Sequence, residues 1–102
     1  MAVELALHEL EFAVPAFDPG KDAENQRKHG VSLAFGAKVV ADPYSVEVID
    51  NRFAYGEERW NVIGLVDGQV YVATYTDREE GVRFISVRPA SKREADRYYG
   101  RT

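Results

Sequence analysis

The sequence predicts an α+β domain in which two N-terminal helices and a short C-terminal helix pack on a four-stranded antiparallel sheet. Three observations carry that prediction. Helix start and stop signals punctuate residues 18–43, the apolar period changes to two after Pro43, and a capping box follows the last strand-like run. At 102 residues the chain has room for one domain. We assign that domain to residues 15–102, with residues 1–14 an N-terminal extension or edge strand in which Leu10, Phe12 and Val14 alternate.

The first helix starts at Asp18-Pro19. Asp18 can accept hydrogen bonds from the first free amides, and Pro19 sits where no amide is needed. The helix is very polar and stops at Gly30, which can take a left-handed cap. Ser32 opens a second helix, with Leu33, Ala37, Val40 and Ala41 on one face, and Asp42-Pro43 ends it. Strands are expected at Ser45–Ile49, Glu58–Val66, Gln69–Thr76 and Val82–Arg88. Asp67-Gly68 between two apolar runs is a hairpin turn, since both residues can take positive φ. Ser91 and Glu94 form a capping box, and the last helix ends near Gly100. The element order is (β)ααββββα. Trp60 is placed in the core.

Composition narrows the chemistry. The chain has no cysteine, so a disulfide framework, a thiolate metal site and a cysteine nucleophile are excluded. No stretch has the roughly 18 apolar residues of a membrane helix. The N-terminus lacks a basic start and is interrupted by Glu4, His8, Glu9 and Glu11, which argues against a signal peptide. The expected location is therefore the cytoplasm. Net charge is −4, but it is uneven. Residues 83–102 hold six basic side chains against Glu94 and Asp96, a balance of +4 that leaves −8 on residues 1–82. A basic end on an acidic body suits either a local anion-binding surface or a solvated helix face.

Several residues could do chemistry, and each has a structural alternative. On strict alternation Arg83 shares a strand face with Ile85 and Val87, while Arg88 shares the other with Val82, Phe84 and Ser86. An arginine fork can hold phosphate, or it can pair with a neighbouring carboxylate. Glu58, beside Glu57, can act as a base or remain a solvated charge. Lys28 and His29 close the first helix, where its dipole favours them, but His29 can also serve as acid or base. The tyrosines 71, 75, 98 and 99 can stack on unpaired bases, or fill core and sheet positions. His8 stands alone, and two distant histidines make no metal site.

The order of short segments resembles a known family. Phe17-Asp18-Pro19-Gly20-Lys21 leads to Arg27-Lys28-His29-Gly30-Val31-Ser32, and an apolar helix then ends at Ala41-Asp42-Pro43. Gly56-Glu57-Glu58-Arg59 precedes Ile63-Gly64. After Tyr75-Thr76 come Arg83, Ile85-Ser86 and Arg88, and finally Ala90-Ser91-Lys92-Arg93-Glu94 with Tyr98. Over residues 15–100 this resembles the BrnT toxins. The resemblance implies a RelE-like fold and a type II toxin–antitoxin ribonuclease that cleaves RNA and inhibits translation. It implies a BrnA-like antitoxin and contact with operator DNA only through that antitoxin; independently of the resemblance, no cofactor, metal or membrane partner is expected. Two departures stand out. Pro89 occupies a position that is often basic in the family, and residues 1–14 exceed the usual length.

On this reading the chain is a metal-independent endoribonuclease. Glu58 is the base, Arg83 and Arg88 clamp the phosphate, Lys28 adds a cation, and His29 or Tyr98 is the acid. The alternative is a catalytically weak or inactive module that binds an antitoxin and contributes to operon repression. Direct DNA binding by the basic last helix is a weaker third reading, because the helix is short and no helix-turn-helix accompanies it.

Overall fold

A computed structural model describes residues 18–50, 58–78 and 81–100. The strand considered within residues 1–14 lies outside them, as do His8 and Glu57. Helix α1 spans Pro19–His29, a 3₁₀ turn spans Leu33–Phe35, and helix α2 spans Gly36–Val40. Strands β1 (Val46–Asp50), β2 (Arg59–Val66), β3 (Gln69–Arg78) and β4 (Gly81–Pro89) follow, then helix α3 (Lys92–Tyr99). The strands form one antiparallel sheet in the order β1-β2-β3-β4, so every connection joins neighbours. The α+β class and its element order are those predicted.

Local signals act as the sequence suggests. The Asp18 side chain accepts from the Gly20 amide at 2.8 Å, and Gly30 takes the left-handed conformation. Asp67 and Gly68 have φ of 50° and 82°, which closes the β2–β3 hairpin with a twist that matches its strands. The second helix differs from expectation. Ser32 caps a 3₁₀ turn, and only Gly36–Val40 is α-helical. At the junction of turn and helix Gly36 packs closely on Phe84, where a Cβ would lie 2.7 Å from the ring. The buried face is accordingly Leu33, Gly36, Val39 and Val40, while Ala41 is exposed. Trp60 is half-buried, not central, since it lies at the far end of β2 from the point where α2 packs.

The sheet has two different faces. One carries Val62, Ala73, Val82, Phe84 and Val87 and is covered by Leu33, Val39 and Val40. The other carries Ile63, Val70 and Val72, against which Ala95 and Tyr98 of α3 pack. Residues alternate regularly between the faces except at one place. Thr74 pairs with Ser86 but Tyr75 pairs with Phe84, which leaves Ile85 as the extra residue of a β-bulge. The predicted grouping of Arg83 with Val87 therefore does not hold. Val82, Phe84 and Val87 face the first core together, and Arg83, Ser86 and Arg88 share the opposite face.

Helix α1 docks on the outer edge of β4 through one buried amide. Asn25 donates to the carbonyls of Val87 and Val31 at 2.8 and 2.9 Å and accepts from the Val87 amide at 3.2 Å. It thus makes both hydrogen bonds that a fifth strand would offer Val87, and so protects an edge that would otherwise invite pairing with another chain. Asp22 secures the next turn by accepting from the Leu33 amide at 2.6 Å.

On the other side of the sheet, α2 lies so close to β2 that a Cβ on Gly64 would overlap the Val39 carbonyl oxygen. Replacing Gly64 with Ala is expected to cost about 1–3 kcal/mol, because backbone rather than a mobile side chain must yield. Urea unfolding measures it as a lower midpoint at unchanged slope. An unchanged midpoint would contradict the close approach of α2.

Candidate functional site

The six side chains singled out in the sequence fall into three places. Glu58 is exposed and directly precedes β2, at the end of the sheet where Arg59, Thr76 and Arg83 form a cross-strand row. Lys28 and His29 line a groove along the middle of β4. Arg88 and Tyr98 belong to the opposite end, where α3 packs.

The groove exists because a polar helix crosses the bulged edge strand. Lys21, Glu24, Asn25, Lys28 and His29 of α1 form one wall, and Ile85 and Ser86 of β4 form the other, enclosing about 220 Å³. Asn25 fixes the helix against Val87, so the spacing of the walls is set by buried hydrogen bonds. Lys28 approaches Glu24 at 3.6 Å in an exposed pair, as does Arg27. Such pairs hold their members weakly, which leaves Lys28 able to exchange Glu24 for another anion. Ser86 also belongs to the face that carries Arg83, so the groove borders that face.

That second face reads as a set of cross-strand rows. The outermost is Asp50, Arg59, Thr76 and Arg83; the next is Val48, Asn61, Thr74 and Ser86; the third is Val46, Ile63, Val72 and Arg88. Thr74 donates to Asn61 at 2.6 Å within the second row. In the outermost row Thr76 is fully buried. Its hydroxyl and the Arg83 Nε are buried and make no hydrogen bond among the described residues.

Arg88 is engaged by a carboxylate. Its two terminal nitrogens bind the two oxygens of Glu94, each at 2.8 Å. Glu94 also accepts from the Ser91 amide at 2.8 Å, while its own amide donates to the Ser91 hydroxyl at 3.2 Å. The capping box and the ion pair therefore share one carboxylate and lock α3 to β4. The Arg88 guanidinium holds the Glu94 carboxyl down to about 2, against the opposing effect of partial burial and with help from the Ser91 amide.

Tyr98 is engaged by Asp42. Its hydroxyl donates to Asp42 Oδ2 at 2.5 Å, and the same carboxylate accepts from the amides of Leu65 and Tyr44 at 2.8 and 2.9 Å. Burial would raise the Asp42 carboxyl, but these three hydrogen bonds outweigh it and keep the group below its ordinary value. Tyr98 is pushed up to about 12 by burial and by the adjacent Asp42 charge. Sequence reasoning missed Asp42 as the link between α2, β2 and α3. The Asp-Pro pair signalled only a helix end.

Among the described residues no three histidine, cysteine or carboxylate side chains cluster as a metal site requires. No described helix is long and apolar enough to cross a membrane.

The shared role of Glu94 has a pH consequence. Its carboxyl is held below the ordinary value of 4.5, so its contribution is present above about pH 4.5 and is lost as pH falls toward 2. Wild type is expected to be more stable than Glu94→Gln at pH 7, with the gap closing between pH 4.5 and 2. Denaturant titrations of both proteins across that range check it, and parallel stability curves would sink the assignment.

Comparison with known proteins adds one match. The family model described as "Ribonuclease toxin, BrnT, of type II toxin-antitoxin system" matches residues 17–94. No curated protein matches the chain.

Proposed function

From the premise that this chain belongs to the BrnT family of ribonuclease toxins of type II toxin–antitoxin systems, we propose that it cleaves RNA by metal-independent transesterification on the β4 side of the sheet. The observation that carries the reading is the groove in which Lys28 and His29 meet Ser86, on the border of the face that holds Arg83.

Such a reaction needs a base, a cationic clamp and an acid. Glu58 takes the proton from a ribose 2′-hydroxyl as that oxygen attacks phosphorus. Arg83 and Lys28 bind the non-bridging oxygens as negative charge builds on the phosphorane. The bond from phosphorus to the 5′-oxygen breaks, and His29 supplies the proton that the leaving oxygen takes. The products are a 2′,3′-cyclic phosphate and a 5′-hydroxyl. Of the two acids considered, His29 is preferred because the Tyr98 hydroxyl is committed as a hydrogen-bond donor to Asp42 and is pushed up to about 12. Arg88 has both terminal nitrogens on Glu94, so we assign it to holding α3 and not to the phosphate.

A type II system pairs the toxin with a protein antitoxin. We propose a BrnA-like antitoxin as that partner, the cytoplasm as the location, and operator DNA contact only through the antitoxin. The second reading, a weak or inactive module that binds an antitoxin, draws on the net charge of −4 and on Pro89 beside Arg88.

Purified protein incubated with single-stranded RNA in EDTA separates the two. The first reading expects cleavage to a cyclic phosphate end and a loss of about 100-fold in Arg83→Ala, by analogy with removal of one oxyanion donor. Full activity in Arg83→Ala would remove the clamp assignment. Absence of cleavage by folded wild type, with or without added divalent cations, would favour the second reading.

A further inference from the structure

We infer that Arg59 is the second arm of the phosphate clamp and binds the same phosphodiester as Arg83 across Thr76. The inference rests on the ribonuclease reading above and adds to it a residue that neither the motifs nor the groove assigned.

The register supplies the first argument. Asp50 pairs with Arg59, and Thr76 pairs with Arg83, while Trp60 pairs with Tyr75 so that Arg59 stands next to Thr76. Arg59 and Arg83 are therefore two strands apart in one row on one face. Two interstrand spacings put their Cα atoms about 10 Å apart. Arginine side chains of about 6 Å reach inward from both sides of that gap and can meet one phosphate between them. Arg88 does not share this geometry. It lies in the row of Val72, four residues along β3 from Thr76, or about 13 Å away along the strand, and it is turned to Glu94.

Electrostatics supply the second argument. The row holds two guanidinium groups and one carboxylate, Asp50, so it carries a net positive charge on a sheet face. The neighbouring row is neutral, and within it the Thr74 hydroxyl donates to the Asn61 side-chain oxygen.

The third argument is the unsatisfied polar atoms. Thr76 is fully buried with an unpartnered hydroxyl, and the Arg83 Nε beside it is also buried and unpartnered among the described residues. Buried polar groups without partners are costly and uncommon. Two in adjacent members of one row fit a place where a ligand oxygen completes the hydrogen bonding. Valine would suit a fully buried strand position better than threonine if nothing ever bound there.

The test uses the whole protein with a short single-stranded RNA, in unmodified form for cleavage and in 2′-O-methylated form for binding without cleavage. Affinity of the methylated strand is measured over a salt series. Arg59→Ala is expected to lower affinity, to reduce the salt slope by about 0.7 for one lost phosphate contact on a single strand, and to slow cleavage of the unmodified strand by about 100-fold. Arg59→Lys keeps the charge but loses the fork, so it should restore the slope and leave cleavage slow. That split would not arise if Arg59 merely stabilised the fold, and circular dichroism of both variants checks that they are folded. Thr76→Val should keep or raise thermal stability while weakening the methylated strand's binding. Lys92→Ala, far out on α3, should match wild type in every readout.

If wild type binds and cleaves but Arg59→Ala and Arg59→Lys match it, this inference falls and the ribonuclease reading stands. It also falls if Arg88→Ala, and not Arg59→Ala, lowers the salt slope. If folded wild type neither binds nor cleaves RNA, the ribonuclease reading fails and takes the inference with it.

Discussion

The unpaired Ile85 in β4 decides what each side of the sheet can be. Without it, strict alternation would place Arg83 beside Val87 and force a charge under α2 or an apolar row into solvent. One extra residue resets the phase, so Val82, Phe84 and Val87 all reach the core while Arg83, Ser86 and Arg88 all reach the other face. A bulge bends its strand and increases the local twist. At the bulge Ile85 and Ser86 line a groove with Lys28 and His29. Asn25 makes the arrangement durable, because its amide saturates the Val87 backbone just past the bulge.

The polar face is divided by α3. Tyr98 and Ala95 cover Ile63, Val70 and Val72, where the sheet needs apolar cover. Two carboxylates hold the helix there. Glu94 joins it to Arg88, and Asp42 joins it to the end of α2 and to the Leu65 amide. Both are charge-assisted contacts with several donors each, so removal of either would leave more than one buried or half-buried group unmatched. The rows against which α3 does not pack are the polar ones.

Charge follows the same division. The acidic excess lies within residues 1–82, and the basic excess within residues 83–102. Two of the six basic side chains there are matched by its two carboxylates, Arg88 by Glu94 and Lys92 by Asp96, the latter at 2.9 Å. The cations that face the groove come instead from α1, and Arg59 comes from β2. A net charge of −4 is therefore compatible with a nucleic-acid surface, since what attracts a phosphate is the local potential and not the sum.

Local chemistry was legible in the chain itself. Asp18-Pro19, Gly30, Asp67-Gly68, Ser91 and Glu94 each determine a start, a turn or a stop through contacts within a few residues, and each does so here. The period of two identified four strands, and short loops between them left only a meander. The ordered motifs from Phe17 to Glu94 carried the family, and Lys28 and His29 were correctly placed side by side at the end of a helix. Partners distant in sequence were not legible. The bulge depends on how β3 and β4 pair, and no feature of either strand alone announces it. The fate of Arg88 depends on Glu94 being brought back by a capping box, and that of Tyr98 on Asp42, 56 residues away. The close approach of Phe84 to Gly36 likewise joins residues far apart in sequence. Sequence determined the elements because their signals are short-range. Tertiary structure decided which charges are occupied and which share a face, because register and long-range hydrogen bonds exist only once the sheet has formed.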